Sequence, residues 1–221
     1  MKPQTLKVLL RKAMTEISLF TTFEGGEGAG KTTLIKSLKE ELVEMGYATI
    51  ITREPGGSVL GEKIRQLLLN QSGTVTISPM AELMLFLADR AQHIEEVIKP
   101  ALKAGKIVLC DRFNDSTIAY QGVGRGLGFE KVQDFCLGVS GEVIPNLTFF
   151  LDLDPEVGLK RVKEQRVQDR MEREKALFHE KVRQGFLALA KQDSHRIVVL
   201  DASRSAESVF KDALKHLEAR L

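Results

Sequence analysis

The sequence predicts an α/β protein with a five-stranded parallel sheet, helices on both faces and a short helical lid. Two observations lead to this class. Short apolar runs alternate with longer segments of helical periodicity, and a glycine-rich segment joins the first run to the first helical segment. In sheets of this kind, ligands bind at the carboxyl ends of the strands.

The strands and helices follow from the apolar patterns in order. The run "ISLFTTF" (17–23) is β-branched and aromatic, which is typical of a buried strand, and "YATIIT" (47–52) is a second strand. The segment from Lys31 to Gly46 between them has the spacing of an amphipathic helix. The same patterns predict strands at 106–110, 147–153 and 196–200, and helices at about 80–104, 128–140, 155–191 and 205–220.

Composition limits the classes of function. The chain has 221 residues, 43% hydrophobic and 28% charged, so it can bury a full core in one globular domain. The sequence has no run of about 18 apolar residues, which argues against a membrane protein. The net charge of +2 gives no indication of a nucleic-acid polymer as partner.

Neither the N-terminal segment nor the two cysteines indicate a catalytic, metal-binding or targeting function. Residues 1–14 are basic without acidic residues, and we expect an N-terminal arm of no assigned function or an upstream start rather than a transit peptide. Residues 15–221 are expected to form a single domain. Cys110 and Cys136 lack metal-ligand spacing and a disulfide framework, so we expect reduced, buried thiols in a cytoplasmic protein.

The segment "EGGEGAGKTT" (24–33) fits G-x-x-x-x-G-K-[ST], a loop whose backbone N–H groups surround phosphates. Because a strand precedes it and a helix follows, the P-loop NTPase fold is favoured over a flexible glycine-rich turn. Lys31 is expected to reach the β and γ phosphates of a nucleoside triphosphate, and Thr32 to coordinate Mg²⁺. The residues predicted to bind this donor are Gly25, Gly26, Glu27, Gly28, Ala29, Gly30, Lys31, Thr32 and Thr33.

Glu27 is unexpected in such a loop. A carboxylate there would cost roughly a few kcal/mol at short range if the loop bound only an anionic donor. The side chain lies in the variable part of the pattern and can point away from the donor phosphates. We therefore expect Glu27 to face a second substrate.

Charged residues at the strand ends also indicate a second, anionic substrate. Arg53 follows the second strand and Arg112 the third, while Arg90 lies in the helix between them, and guanidinium groups match phosphate oxygens. Asp111 is placed like a carboxylate that reaches Mg²⁺, although an Asp111–Arg112 pair could equally be a local salt bridge. The sequence lacks N-K-x-D, D-x-x-G and "LSGGQ"-like signatures of GTPases and transport ATPases.

Three further segments leave alternatives open. "TREPGG" (52–57) is either a rigid holder for Arg53, with a possible cis proline bond, or a plain surface turn. Phe86 and Arg90 share a helix face, where a phenylalanine is more often core than a platform for a base. The segment 160–175 is either a solvated helix surface or a lid whose arginines close over the transferring phosphoryl group.

This set of motifs resembles the thymidylate kinase family, most closely its bacterial form, over about residues 17–221. The motifs are "FEGGEGAGKTT", "TREPGG", "DRFNDSTIAYQGVGRGLG" and "FLDLDPEVGLKR", in the family's order and approximate spacing. The resemblance implies ATP- and Mg²⁺-dependent phosphorylation of dTMP to dTDP, a step in dTTP biosynthesis. It also implies a homodimer.

The resemblance implies roles for individual residues. The expected metal ligands are Thr32 and Asp111, and the expected catalytic residues outside the lid are Lys31 and Arg112. In the lid, Arg161, Arg166, Arg170 and Arg173 could all face the phosphates, and we expect Arg166 first, with Arg170 and Arg161 in support. The dTMP site comprises Glu27 at the 3′-hydroxyl, Arg53 and Arg112 at the phosphate, Tyr120 beneath the sugar, and Phe86, Arg90, Thr117 and Gln121 at the base.

Two departures from the family pattern accompany the resemblance. Phe113 replaces the tyrosine or histidine of a D-R-[YH] triplet, so its polar tip is lost or replaced. Gly28 stands where some relatives carry an arginine, which directs the search for catalytic arginines to the lid. Other readings are a kinase for a different nucleoside monophosphate, which would differ in its base pocket, and a regulatory protein that binds ATP without an acceptor.

Overall fold

The computed structural model describes residues 17–69, 76–165 and 167–221. Its sheet has five parallel strands in the order β2-β3-β1-β4-β5, which confirms the predicted strands with shifts of a few residues at their ends. The strands are β1 Leu19–Glu24, β2 Thr49–Arg53, β3 Ile107–Asp111, β4 Leu147–Asp152 and β5 Ile197–Asp201.

Helices cover both faces of this sheet. The α-helices are α1 Lys31–Glu44, α2 Val59–Leu69, α3 Pro79–His93, α4 Lys99–Lys103, α5 Asn114–Thr117, α6 Phe129–Ser140, α7 Pro155–Gln165, α8 Ala176–Gln192 and α9 Ala206–Glu218. A π-helical segment, Ile94–Ile98, joins α3 to α4, and a second, Ile118–Gly124, continues α5. The Ser78 hydroxyl accepts a hydrogen bond from the amide of Ala81, and Pro79 begins α3, a common helix start.

The central strand β1 is buried on both faces. Its residues Leu19 and Phe23 pack with Leu38 of α1 and Ala213 of α9, whereas Phe20 packs on the opposite face with Ile98 and Phe113. All six β1 residues are buried, as expected for an apolar run in a parallel sheet. The glycine-rich loop that follows β1 therefore extends from a fixed base.

The predicted continuous helix over 155–191 is wrong between 167 and 175. There the Asp169 carboxylate accepts the backbone N–H groups of Met171 and Glu172, at 2.8 and 3.0 Å, and Glu172 accepts that of Asp169 at 2.8 Å. Such local hydrogen bonds compete with helical ones. The 160–175 segment thus includes the end of α7 and a turn, and Arg166 within it lies outside the described residues.

Two smaller expectations are confirmed, and two helical stretches are new: α2, and α5 with the π-helical segment that continues it. The Glu54–Pro55 bond is cis. Cys110 and Cys136 are both buried free thiols. Helix α2 follows "TREPGG" and was not predicted. It buries Ile64 and Leu68 but exposes Val59, Leu60 and Leu67.

The described helices include none with the length and apolar character needed to cross a membrane.

The glycine-rich loop packs directly against the first turns of α7. Gly28 has a φ of 69°, and a Cβ atom there would lie 2.2 Å from the carbonyl oxygen of Gly158. A Cβ atom on Gly158 would lie 2.1 Å from the carbonyl oxygen of Glu27. Backbone atoms are therefore in direct contact here, and any side chain at position 28 requires α7 to move.

We expect Gly28→Ala to lower the free energy of unfolding by at least about 2 kcal/mol, since it combines a left-handed backbone with a backbone clash. Gly26→Ala is the matched control in the same loop, where an added Cβ meets nothing within 4 Å. Urea denaturation followed by circular dichroism measures the free energy of unfolding of both variants and of the parent. Equal stability of the two variants would show that the Gly28–Gly158 contact is not tight.

Candidate active site

A cavity of about 420 Å³ lies at the carboxyl ends of β1, β2 and β3. It brings together most of the predicted site residues, which come from the glycine-rich loop, β2, β3, α3 and the α5 region. Those lining it are Glu27, Gly28, Ala29, Gly30, Lys31, Thr32, Thr33, Arg53, Phe86, Arg90, Asp111, Arg112, Thr117, Tyr120 and Gln121. The cavity thus joins the predicted donor loop to the predicted acceptor residues.

Lys31 lies at the start of α1 and points back across the loop. Its ammonium group donates hydrogen bonds to the carbonyl oxygens of Gly25, at 3.1 Å, and Gly26, at 2.8 Å. Burial and the nearby Arg112 guanidinium lower the pKa of Lys31. An anionic ligand in the loop would therefore satisfy a desolvated cation at a helix N-terminus.

Arg112 is held at the loop by both its backbone and its side chain. It has a φ of 71°, which is uncommon outside glycine, and its N–H donates to the carbonyl oxygen of Phe23 at 3.0 Å. The guanidinium donates to the Gly25 carbonyl at 3.0 Å and to the Ser116 hydroxyl at 3.1 Å. This geometry fixes a positive charge beside the donor loop.

Glu27 forms an ion pair with Arg112. The carboxylate also lies 3.5 Å from the Tyr120 hydroxyl, and the Arg112 guanidinium stacks over the Tyr120 ring at 5.1 Å. Burial disfavours the charged guanidinium, but the Glu27 carboxylate beside it keeps the pKa of Arg112 above its usual value. The charge of the unexpected carboxylate is therefore compensated by Arg112.

Glu24 is a buried carboxyl group that the motif analysis missed. It accepts hydrogen bonds from the Phe113 amide at 2.8 Å and from the Ser116 hydroxyl. Complete burial and the Asp115 charge raise the pKa of Glu24 to about 8. Glu24 supports the backbone turn at Arg112, and only its position before the glycine-rich loop could have drawn attention to it.

Arg90 is fully buried and held from three sides. It donates to the Glu54 carboxylate at 2.8 Å and to the Thr117 hydroxyl at 2.9 Å, and its guanidinium lies 5.0 Å from the Phe113 ring centre. Phe113 in turn packs edge-on against Phe20. A cation–π contact with Arg90 therefore replaces any hydrogen bond from a polar residue at position 113.

The predicted phosphate residue Arg53 is half-exposed at the mouth of the cavity. It pairs with Glu62 at 3.2 Å. Arg65, which lies on the unpredicted helix α2, also lines the cavity and donates to the Pro55 carbonyl at 2.9 Å. Burial and the neighbouring Arg53 lower the pKa of Arg65. Because Arg65 lines the cavity with Arg53, two guanidinium groups lie near the position predicted for an anion.

Asp111 and Thr32 fit a Mg²⁺ ion. Within the part of the chain that the structure describes, Asp111 Oδ1 is buried and has no hydrogen-bond partner, and Thr32 lines the same cavity. The described residues hold no cluster of three or more histidine, cysteine or carboxylate side chains that could bind a metal. Mg²⁺ commonly needs only one or two carboxylates plus substrate phosphates, so this donor set suits it.

The lid arginines have different environments. Arg161 lines the cavity and donates to the Gly28 carbonyl at 3.2 Å. Arg170 instead donates to the Leu68 carbonyl at 2.7 Å and to the Glu82 carboxylate at 2.5 Å, and it is not among the described residues that line the cavity. Its catalytic role, like that of Arg166, stays a prediction.

Comparisons with known proteins identify the family. The family model described as "Thymidylate kinase" matches residues 23–213. A thymidylate kinase from Protochlamydia amoebophila is 56% identical over 90% of this chain and 92% of its own length, and one from a Synechococcus strain is 50% identical over 92% and 96%.

A solved structure agrees with these sequence relatives. The crystal structure of thymidylate kinase from Ehrlichia chaffeensis shares 36% identity with a TM-score of 0.74, covering 91% of this chain and 99% of that one. Full-length similarity in both sequence and fold excludes a match confined to the phosphate loop. The chain belongs to the thymidylate kinase family.

Proposed function

We propose that this protein transfers the γ-phosphoryl group of ATP to dTMP and releases dTDP and ADP. The observation that carries the proposal is the Glu27–Arg112 pair, which lies in one cavity between a phosphate loop and a set of acceptor residues. Membership of the family supports the choice of substrates. A protein that only sensed ATP would have no use for the acceptor part of the cavity.

On the donor side, the amides of residues 25–33 surround the ATP phosphates and Lys31 contacts the β and γ oxygens. Thr32 and Asp111 would hold Mg²⁺. Mg²⁺, when bound, offsets the negative charge of the donor phosphates. The desolvated Lys31 makes the same kind of contribution from the protein.

On the acceptor side, Arg53 and Arg112 bind the dTMP phosphate, and the 3′-hydroxyl donates a charge-assisted hydrogen bond to the Glu27 carboxylate. Tyr120 lies beneath the sugar and disfavours a 2′-hydroxyl. The thymine base stacks on Phe86, which is half-buried at the cavity wall, and contacts the side chains of Arg90, Thr117 and Gln121.

Positioning and charge stabilisation account for the chemistry. An oxygen of the acceptor phosphate attacks the γ-phosphorus in line, and it needs no general base because it is already ionised at neutral pH. Lys31 and Arg112 offset the charge on the transferring group. Arg161 already lies at the loop, and Arg166 and Arg170 of the lid would complete the set of cations when the lid closes, Arg170 after leaving Glu82 and the Leu68 carbonyl.

We also propose a single catalytic domain over 15–221 with a lid at about 160–175, in the cytoplasm. The free, buried thiols Cys110 and Cys136 suit a reducing compartment.

A homodimer is supported by an apolar surface across three helices. Helix α3 contacts α2 and α6, and all three helices expose large apolar side chains. The exposed residues are Leu67 of α2, Met80 and Met84 of α3, and Phe135 of α6. Met80 and Met84 are four residues apart and therefore share a face of α3. We propose that this surface pairs with its copy in a second chain.

Turnover across nucleoside monophosphates tests the activity. In a coupled ADP-release assay, we expect dTMP to be preferred over dUMP, UMP, CMP and AMP. Lys31→Ala and Arg112→Ala should each lower kcat by about 10² or more, because each removes a cation at the transferring group. Near-normal turnover in both folded variants, or ATP binding without ADP formation, would contradict the proposal.

Glu27→Ala tests recognition of the 3′-hydroxyl. We expect KM for dTMP to rise at least about tenfold, with KM for ATP changing less than about threefold, because Glu27 and its partner Arg112 contact dTMP, whereas the loop amides and Lys31 hold ATP. The parent should prefer dTMP over 3′-deoxythymidine monophosphate, and the variant should lose that preference. A variant that keeps it would place the 3′-hydroxyl elsewhere.

Met84→Glu tests the dimer surface. A charge at the centre of the apolar surface should yield monomers in sedimentation velocity, whereas the parent sediments as a dimer. Val43→Glu is the control, because Val43 is also exposed, at 52%, but lies on α1. A parent that sediments as a monomer, or a Met84→Glu dimer, argues against this interface.

A further inference from the structure

Glu82 lies on the first turn of α3 and its carboxylate is 1% exposed. Three side chains from distant parts of the chain donate to it. Gln121 Nε2 and Arg125 Nε donate to Oε1 at 2.8 and 3.0 Å, and Arg125 Nη2 and Arg170 Nη2 donate to Oε2 at 3.1 and 2.5 Å. Burial favours the neutral acid, but the hydrogen bonds from Arg125 and Gln121 hold the pKa of Glu82 below its usual range.

An ionised carboxylate can only accept hydrogen bonds, and this dictates the orientation of the Gln121 amide. The amide must present its NH₂ group to Glu82, so its carbonyl oxygen is the end that remains for a ligand. Gln121 lines the active-site cavity and its side chain is otherwise buried. The buried Glu82 carboxylate, which does not contact the substrate, thus determines which end of the Gln121 amide faces the cavity.

We propose that Glu82 is a specificity-determining positioning residue, which fixes the Gln121 amide so that the cavity accepts thymine and rejects cytosine. The proposal rests on the placement of the base beside Gln121 made above. Glu82 itself does not touch the substrate; it acts through Gln121.

The chemistry of the two bases explains the choice. Thymine and uracil carry a hydrogen at N3, which can donate to the Gln121 oxygen, whereas N3 of cytosine is an acceptor and would face that oxygen as a second acceptor. A site built to accept a hydrogen bond rejects a ligand that cannot donate one, because a buried polar group is left unpaired. Uracil and thymine differ only in a methyl group and share the N3 hydrogen, so the orientation of Gln121 set by Glu82 does not discriminate between them.

Glu82→Gln reverses this constraint. The one oxygen that remains is best placed at the former Oε2 position, where two guanidinium nitrogens, from Arg125 and Arg170, donate. The new NH₂ group then faces Gln121, whose amide turns over to offer its oxygen to position 82. The new NH₂ group also faces Arg125 Nε, which loses its acceptor there, while Arg125 Nη2 keeps the oxygen at the Oε2 position. The turned amide presents NH₂ to the base, which suits N3 of cytosine.

We expect Glu82→Gln to lower the ratio of kcat/KM for dTMP to that for dCMP by at least about tenfold, while the ratio for dTMP to dUMP stays within about twofold. A purely structural role for Glu82 would lower all three values together. An unchanged ratio of dTMP to dCMP would overturn the proposal.

Two further variants separate orientation from general damage. Arg125→Ala removes two donors from Glu82 and leaves the Gln121 hydrogen bond in place, so the ratio of dTMP to dCMP should stay within about twofold of the parent. The exchange Glu82→Gln with Gln121→Glu puts a carboxylate at position 121, which can only accept, and should restore the preference for dTMP. If Glu82→Gln does not fold, the exchanged protein decides, since loss of the preference there overturns the proposal.

Gln121→Ala tests separately whether the base lies beside Gln121 and whether Glu82 orients the Gln121 amide. If it leaves KM for dTMP unchanged, the base does not lie beside Gln121 and the site assignment is wrong. If it raises KM for dTMP while Glu82→Gln leaves the dTMP to dCMP ratio unchanged, the site assignment stands and the role given to Glu82 is wrong.

Discussion

The ion pair between Glu27 and Arg112 is the interaction on which the rest of the site depends. It joins the glycine-rich loop after β1 to the turn after β3, two adjacent strands of the sheet. Because both partners are largely buried, each charge needs the other, and removing one would leave the second uncompensated. The pair therefore fixes the distance between the glycine-rich loop and the residues predicted to face the acceptor.

The surrounding structure supports this pair through backbone contacts and buried carboxyl groups. Gly28 and Gly158 let the loop lie against α7, which places Arg161 at the loop carbonyl. Glu24 holds the backbone turn that gives Arg112 its positive φ. On the base side, Glu54 plays a comparable part for Arg90. Carboxylates thus orient cations on both sides of the cavity, and the cations face the predicted positions of the phosphates and base.

The sequence predicted the five strands and most helices because apolar runs and helical periodicity report burial directly. It also predicted that Lys31, Asp111 and Arg112 meet, since the ends of parallel strands share one edge of the sheet. It missed α2, whose apolar residues are divided between buried and exposed positions, and the turn at 167–175, where Asp169 and Glu172 satisfy the backbone locally.

Other parts of the site are set by contacts that no spacing reveals. Arg170 pairs with Glu82 across 88 positions of sequence, and Glu24 reaches Ser116 across 92. The most direct test of the central claim is a double-mutant cycle of Glu27→Ala and Arg112→Ala on dTMP affinity, measured by titration calorimetry. The account predicts a coupling energy of at least about 1 kcal/mol, whereas effects that add within about 0.5 kcal/mol would contradict it.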